Sequence, residues 1–238
     1  MNDKLEWLNW DSNFFGLQVC KVKEAYSINN ELSEILKYAS SQKIDLIYHS
    51  GLKPLTNLEN VSELYKIKLV DKKTTYLKNA ISSSIDNPTI SSYRNDFPDD
   101  NLLQLAVESG KYSRFNIDDK ITSAKFQDLY HLLMINSVNK KIAREVLVYE
   151  QNNNIVGFVT LADKNIKGDI GILAVDPNYR GQGIGKSLMC AAENWFFDNK
   201  YHAIQVVTQA DNIPACRLYE SCGYSVEKSE YYYHIWRK

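Results

Sequence analysis

The sequence predicts an α/β chain with a smaller N-terminal lobe, and three observations carry that expectation. Segments whose apolar residues alternate with period two are interleaved with segments of helical spacing, the pattern of a sheet flanked by helices. A stretch rich in Ser, Asn, Asp and Pro, from Asn79 to Asp100, has the composition of a long loop or linker. In the second half a glycine-rich segment joins a strand pattern to an amphipathic helix pattern. Length alone, 238 residues, fits one large core with an appendage or two small cores. The polar stretch places the boundary, giving an N-terminal lobe over 1–85 and a larger domain over 86–238.

The elements follow in order. From Leu5 the text is aromatic and then alternating up to Val22, which predicts an aromatic loop followed by a strand. Asn30 is a candidate cap for a helix bearing Leu32, Ile35, Leu36 and Ala39. A strand is expected from Ile44 to His49. Thr56 and Glu59 form a capping box for a short helix through Leu58, Val61, Leu64 and Tyr65. The β-branched, alternating run from Ile67 to Leu77 reads as a further strand. Beyond the polar stretch, Asp99 or Asp100 can cap a short helix that Gly110 ends, and Thr122 to Val138 reads as an amphipathic helix. Glu145 to Tyr149 and Ile155 to Leu161 flank an Asn-rich turn, the signature of a β-hairpin. Asp169 to Val175 is a strand that ends at Asp176-Pro177. A helix with Ile184, Leu188, Ala191, Ala192 and Trp195 along one stripe follows, then a strand from Ala203 to Thr208. A last helix over Asn212 to Cys222 is expected to end at Gly223, and Tyr231 to Trp236 closes the chain as a strand.

Bulk properties exclude several function classes. Lys plus Arg number 28 and Asp plus Glu 29, so no global field exists to hold a nucleic-acid backbone or an anionic membrane. No apolar run reaches the roughly 18 residues of a membrane span, and the N-terminus has neither a basic n-region nor an apolar h-region. Cys20, Cys190, Cys216 and Cys222 have no paired metal spacing, which leads to an expectation of a soluble, metal-free protein in a reducing cytoplasm.

The segment Val175 to Leu188 carries the chemistry. Gly181, Gly183 and Gly185 alternate where a helix's first N–H groups have no internal acceptor, a geometry suited to a pyrophosphate. Arg180 and Lys186 add full charges. A Walker A loop ending in Gly185-Lys186-Ser187 needs glycine at 180, where Arg180 stands. A Rossmann fingerprint begun at Gly181 or Gly183 needs glycine or alanine at 186 or 188, and these are Lys186 and Leu188.

What remains, Arg180-x-x-Gly183-x-Gly185 between strand and helix, resembles the acyl-CoA pyrophosphate loop of the GNAT (GCN5-related N-acetyltransferase) superfamily. Downstream, Asn212-x-x-Ala215-x-x-x-Tyr219, followed by Gly223-Tyr224, resembles the same superfamily's second signature. The resemblance covers Lys111 to Lys238 and implies a mixed, mostly antiparallel central sheet with splayed strands. It implies acyl-CoA (acetyl-CoA or a short acyl-CoA) as co-substrate, with the pantetheine arm along Leu173, Ala174 and Val175. The pyrophosphate then lies on Arg180, Gly181, Gln182, Gly183, Ile184, Gly185 and Lys186, with Asn212 and Ala215 nearby and Tyr219 as general acid. The base is not evident among His49, His131, His202 and His234; His234 and Asp169 are candidates, and a water relay would also serve. Cys216 and Cys222 have no adjacent base, which disfavours an acyl-cysteine route.

Three further stretches, Leu8 to Gly16, Lys68 to Leu77 and Gly110 to Phe115, resemble the dTDP-fucosamine acetyltransferase group, which N-acylates an amino-dideoxy sugar on dTDP. That resemblance implies a nucleotide-linked amino sugar as acceptor, a role in surface polysaccharide synthesis, and acceptor contacts at Trp10, Asn13, Phe15, Tyr112 and Arg114. A hydrophobic plug is the plainer reading of the rings. The ring-dense strand Tyr231 to Trp236 suits a place between sheets or subunits, hence an expected homodimer. Two other readings stay open: a peptide or protein N-terminal acetyltransferase, and a non-catalytic acyl-CoA sensor.

Overall fold

The computed structural model describes residues 4–23, 32–56, 58, 63–81 and 89–238. The chain forms two compact units, Met1–Lys73 with Lys228–Lys238, and Thr74–Glu227. The division falls inside a long strand rather than at 85/86, and the last eleven residues join the first unit. The cause is pairing: the terminal strand extends antiparallel along a strand of the N-terminal half, from Tyr231 opposite Gly51 to Trp236 opposite Leu46.

In the first unit β1 (Leu5–Trp7), β2 (Val19–Val22), β3 (Leu46–Gly51), β10 (Ser225–Arg237) and β4 (Tyr65–Asn79) lie in that order in a sheet, with β4 and β10 each running on into the second unit. Helix α2 (Leu32–Ser41) buries Leu32, Ile35, Leu36 and Ala39, the expected stripe, in a core with Ile47, Tyr233 and Ile235. The aromatic stretch is not a loop: Asn9–Phe15 forms helix α1, ended by Gly16 in the left-handed region at φ 69°. Trp10 and Phe14, one turn apart, stack at 5.1 Å, a local contact that a reading of loops from aromatic content does not anticipate. The strand expected after the aromatic stretch and up to Val22 begins at Val19. Asn30, Glu59 and Val61 lie outside the described residues, and Tyr65 opens β4 instead of ending a helix.

In the second unit the strand order is β4, β9 (Ala203–Gln209), β8 (Lys167–Val175), β7 (Asn154–Lys164), β6 (Glu145–Gln151) and β5 (Ile90–Ser92). The sheet is mixed, as the family resemblance implied: β5 to β8 pair antiparallel, and β8 pairs β9 in parallel. The β6–β7 hairpin turns through Asn152 and Asn153, at φ 53° and 61°, the left-handed pair a two-residue turn demands. Helices α3 (Asp100–Ser109) and α5 (Ser123–Val138) start at caps, Asp99 accepting from the Leu102 amide and Thr122 from that of Lys125. A short helix α4 (Arg114–Ile117) lies between them. Helices α6 (Ile184–Asp198) and α7 (Ile213–Ser221) complete the unit. One core packs Leu188, Met189, Ala192 and Phe196 of α6 against Val159, Leu161, Ile170, Ile204 and Val206, and a second gathers Leu102, Leu105, Met134 and Phe158.

The feature that positions the site is a bulge. Leu161 pairs with Ile170 and Val159 with Leu173, so Gly171 and Ile172 together oppose Thr160. The Ile172 amide donates to Thr160 Oγ1 at 2.8 Å, and a Cβ on residue 171 would stand 2.7 Å from that same oxygen, so glycine is needed there. The pairs between β8 and β9 run from Gly168–Ile204 to Ile170–Val206 and, among the described residues, stop where the bulge begins. From that point the two strands part.

Candidate acyl-CoA site

A cavity of about 460 Å³ opens where β8 and β9 separate. Gly171 to Val175 line it from β8, Val207, Thr208 and Gln209 from β9, and Asn212, Ala215, Leu218 and Tyr219 from α7 and its cap. The α6 entrance contributes Arg180, Gly181, Gly183, Ile184, Gly185 and Lys186. The opposite wall is Glu108, Ser109, Lys111, Tyr112 and Tyr130. Of the cofactor residues expected from sequence, every one but Gln182 lines this cavity.

The three glycines divide into two roles. Gly181 and Gly183 have φ of 77° and 82°, left-handed geometry that other residues enter at a cost, and a Cβ on either would meet open space. Gly185 differs: a Cβ there would lie 3.2 Å from Leu218 Cδ2, so its absence lets α6 approach α7. Gly183 caps α6 without a side-chain acceptor, and the first amides of that fifteen-residue helix remain open to an anion.

Arg180 is fixed on both sides. Its Nε donates to the Val175 carbonyl at 3.0 Å, and its Nη2 pairs with Glu108 Oε1 of α3 at 2.9 Å. Sequence reasoning missed Glu108, since seventy-two positions separate the partners and an acidic residue in the last turn of a helix carries no local signal. Asn212 has a structural task as well: its Oδ1 accepts from the Ala215 amide at 3.3 Å and caps α7, which is why Asn and Ala stand three apart.

Tyr219 is 5% exposed and lines the cavity. Burial is the main cause, with Cys216 and Cys222 adding smaller contributions, of a hydroxyl pushed well above the usual tyrosine range, so Tyr219 keeps its proton at any working pH. The edge of Tyr76 packs on its ring, centroids 5.7 Å apart. None of the four histidines is among the lining residues, and Glu108 is the one carboxylate there. Asp169 accepts from Gln205 Nε2 at 2.6 Å and is absent from the lining, which removes the geometric ground for its role as base. His234 belongs to the first unit, in β10. Among the described residues no group of three His, Cys, Asp or Glu side chains is placed to hold a metal ion, and no helix is long and apolar enough to cross a membrane.

The expected acceptor residues divide between the two units. Tyr112 lines the cavity, whereas Arg114 sits on α4 with its guanidinium 4.6 Å from the Phe115 ring. Trp10, Asn13 and Phe15 lie on α1 of the first unit, a helix with no buried residue, and Trp10 is 53% exposed.

Comparison with known proteins agrees with this geometry. Residues 112–224 match the model of the acetyltransferase (GNAT) family. That segment belongs to the GNAT family. It contains the glycine entrance of α6, the parted strands and Tyr219, which together line the cavity. The chain is 27% identical over 135 residues, 57% of its length and 46% of the relative's, to the spore coat polysaccharide biosynthesis protein SpsD of Bacillus subtilis. It is 21% identical over 207 residues, 81% of its length and 62% of the relative's, to mycothiol acetyltransferase of Clavibacter sepedonicus. The chain thus spans about half the length of the curated relatives it matches. Among solved structures, a GNAT-family acetyltransferase from Novosphingobium aromaticivorans has the same fold, with TM-score 0.60 and 14% identity over 99% of this chain and 89% of the other.

Proposed function

We propose that this GNAT protein transfers an acyl group from acyl-CoA to the amine of a nucleotide-linked amino-dideoxy sugar, in a cytoplasmic step of surface polysaccharide synthesis. The observation that carries the acyl-CoA half is the single cavity surface formed by the α6 amides, the unpaired edge of β8 and Tyr219. A diphosphate meets the positive end of α6, with Gly181 and Gly183 holding side chains away and Arg180 and Lys186 supplying charge. The pantetheine amides extend along Leu173 to Val175, where β8 has no strand partner on the β9 side among the described residues, a β-augmentation by a ligand.

The chemistry then needs a neutral amine, a donor for the oxyanion, and a proton or hydrogen bond for the departing sulfur. Amine nitrogen attacks the thioester carbonyl; the carbon–sulfur bond breaks as the tetrahedral intermediate collapses. Tyr219, held neutral by burial, donates a hydrogen bond to the developing thiolate; any proton it passes to sulfur is returned to it through water, so that the amine loses one proton, the thiol gains one and Tyr219 ends neutral. The amine's proton leaves through water, because the cavity offers no histidine and its carboxylate, Glu108, is engaged by Arg180.

The sugar half rests on the resemblance of the N-terminal stretches and on the SpsD relative, whose name assigns that protein to spore coat polysaccharide biosynthesis. In this reading Tyr112 bounds the acceptor's side of the cavity, while Trp10, Asn13, Phe15 and Arg114 contact the nucleotide sugar. Two copies of the chain form the working particle. The match to mycothiol acetyltransferase over most of the chain supports a second reading, in which the acceptor is of the mycothiol type.

Thiol release from several acyl-CoAs, screened against dTDP-linked 3-amino and 4-amino dideoxyhexoses, short peptides and a mycothiol-type amine, separates these readings. Release only with a dTDP-amino sugar is the expected result. Release only with peptides would replace the sugar reading, and coenzyme binding with no turnover on any amine would make the protein a sensor.

A further inference from the structure

Two residues of β4, Tyr76 and Lys78, lie two positions apart and so face the same side of the strand. Both reach α7. Tyr76, 3% exposed, sets its ring edge against Tyr219 at an interplanar angle of 60° and donates its hydroxyl to Glu220 Oε1 at 3.1 Å. Lys78 Nζ donates to the Cys222 carbonyl at the end of α7 and to Glu193 Oε2 of α6, each at 2.7 Å. Its ammonium also lies 5.5 Å from the centre of the Tyr224 ring. Lys78 thereby ties the end of α7 to α6, the helix whose first turn faces the cavity, and Tyr76 braces the ring that α7 presents there.

Tyrosine rings rotate about two side-chain bonds, and a hydroxyl at the end of a ring moves farthest when the ring tilts. Among the described residues no hydrogen bond anchors the Tyr219 hydroxyl, so its place is set by the ring, which packs against Tyr76 on one contact and Tyr224 on another, 6.4 Å away. We propose that Tyr76 is a positioning residue for transfer: it holds the Tyr219 ring so that the hydroxyl points at the departing sulfur, with Lys78 fixing the helix that carries it. The inference rests on the general-acid reading of Tyr219.

A double-mutant cycle tests it, with kcat at saturating acyl-CoA, the Kd of CoA by calorimetry, and Tm measured for wild type, Tyr219→Phe, Tyr76→Leu and the double variant. Tyr76→Leu is expected to lower kcat by about 2- to 10-fold, the range that an aromatic pair supplies, with the Kd of CoA unchanged. In the Tyr219→Phe background the same change should cost no further kcat. An equal drop in both backgrounds, or a loss of CoA affinity in place of kcat, would overturn the positioning role while leaving the acid reading intact. Full turnover by Tyr219→Phe alone would overturn both. Should Tyr76→Leu fail to fold, Tyr76→Phe, which keeps the ring and removes only the hydroxyl with its contacts to Glu220 and Cys216, runs through the same cycle with a smaller expected drop and the same criterion.

Discussion

Glu108 stands 2.9 Å from the arginine that is to meet a diphosphate, and its neutralisation by Glu108→Gln should tighten coenzyme binding. The variant keeps an oxygen that can accept from Arg180 Nη2, so the guanidinium stays where Val175 and residue 108 hold it. What it removes is one negative charge on the far side of that guanidinium. Two ion pairs placed end to end separate the carboxylate and the diphosphate by roughly 6 to 7 Å. At that distance like charges repel by about 0.6 kcal/mol in bulk water and about 2.5 kcal/mol at a partly desolvated surface. The Glu108 side chain is 28% exposed and that of Arg180 51%, which favours the lower part of the range, and physiological salt reduces it further. A gain of about 1 kcal/mol corresponds to a roughly fivefold lower Kd for CoA. Calorimetric titration at low and physiological salt, repeated near 1 M where screening acts within about 3 Å, should show that gain shrinking toward nothing. An equal or weaker affinity for Glu108→Gln at low salt would refute the reasoning and make Glu108 an organiser of Arg180 whose charge helps binding.

Other perturbations address separate parts of the unit. Gly171→Ala places a Cβ 2.7 Å from Thr160 Oγ1, and should lower Tm and raise the KM for acyl-CoA together, because the bulge sets both the β7–β8 register and the opening beside β9. Lys78→Met leaves Glu193, whose side chain is 7% exposed, buried without its cation; a loss of about 3 kcal/mol by urea unfolding is expected, with more than half recovered in Lys78→Met/Glu193→Leu. His49 is buried and held at a pKa of about 4, below the ordinary 6.5, so the unfolded chain binds its proton first as pH falls. Stability from this neutral side chain is complete above pH 6.5 and is lost progressively down to pH 4, and His49→Phe should flatten that part of the stability-versus-pH curve.

Local chemistry made part of this molecule legible in the sequence. The α6 entrance could be read because glycines, a cation and a strand-to-helix transition are neighbours in the chain, and counting their spacing excluded other phosphate loops. The cap at Asp99, offered with Asp100 as its alternative, and the Asn-rich turn that holds Asn152 and Asn153 were readable for the same reason. Partners remote in sequence were not: Glu108 meets Arg180, Glu193 meets Lys78 and Tyr76 meets Tyr219 only after the sheet has assembled. Helix α1 was missed because no residue of it is buried, so no stripe of core side chains marks it. The first half of β10 was missed on like grounds, since Ser225 to Lys228 are exposed and lack the alternation that marks a half-buried strand.

The parting of β8 from β9 also bears on how such a protein changes over time. A molecule lying along that opened edge is grasped by main-chain N–H and C=O groups, which every residue type supplies alike. Substitutions at Leu173 or Val175 alter packing yet leave that grip in place, whereas a change at Tyr112, Tyr130 or Lys111 across the cavity alters the surface met by whatever lies beside it. Preference for the second reactant can therefore drift by single codon changes on the α3–α5 wall, with the grip on the first carried along unaltered.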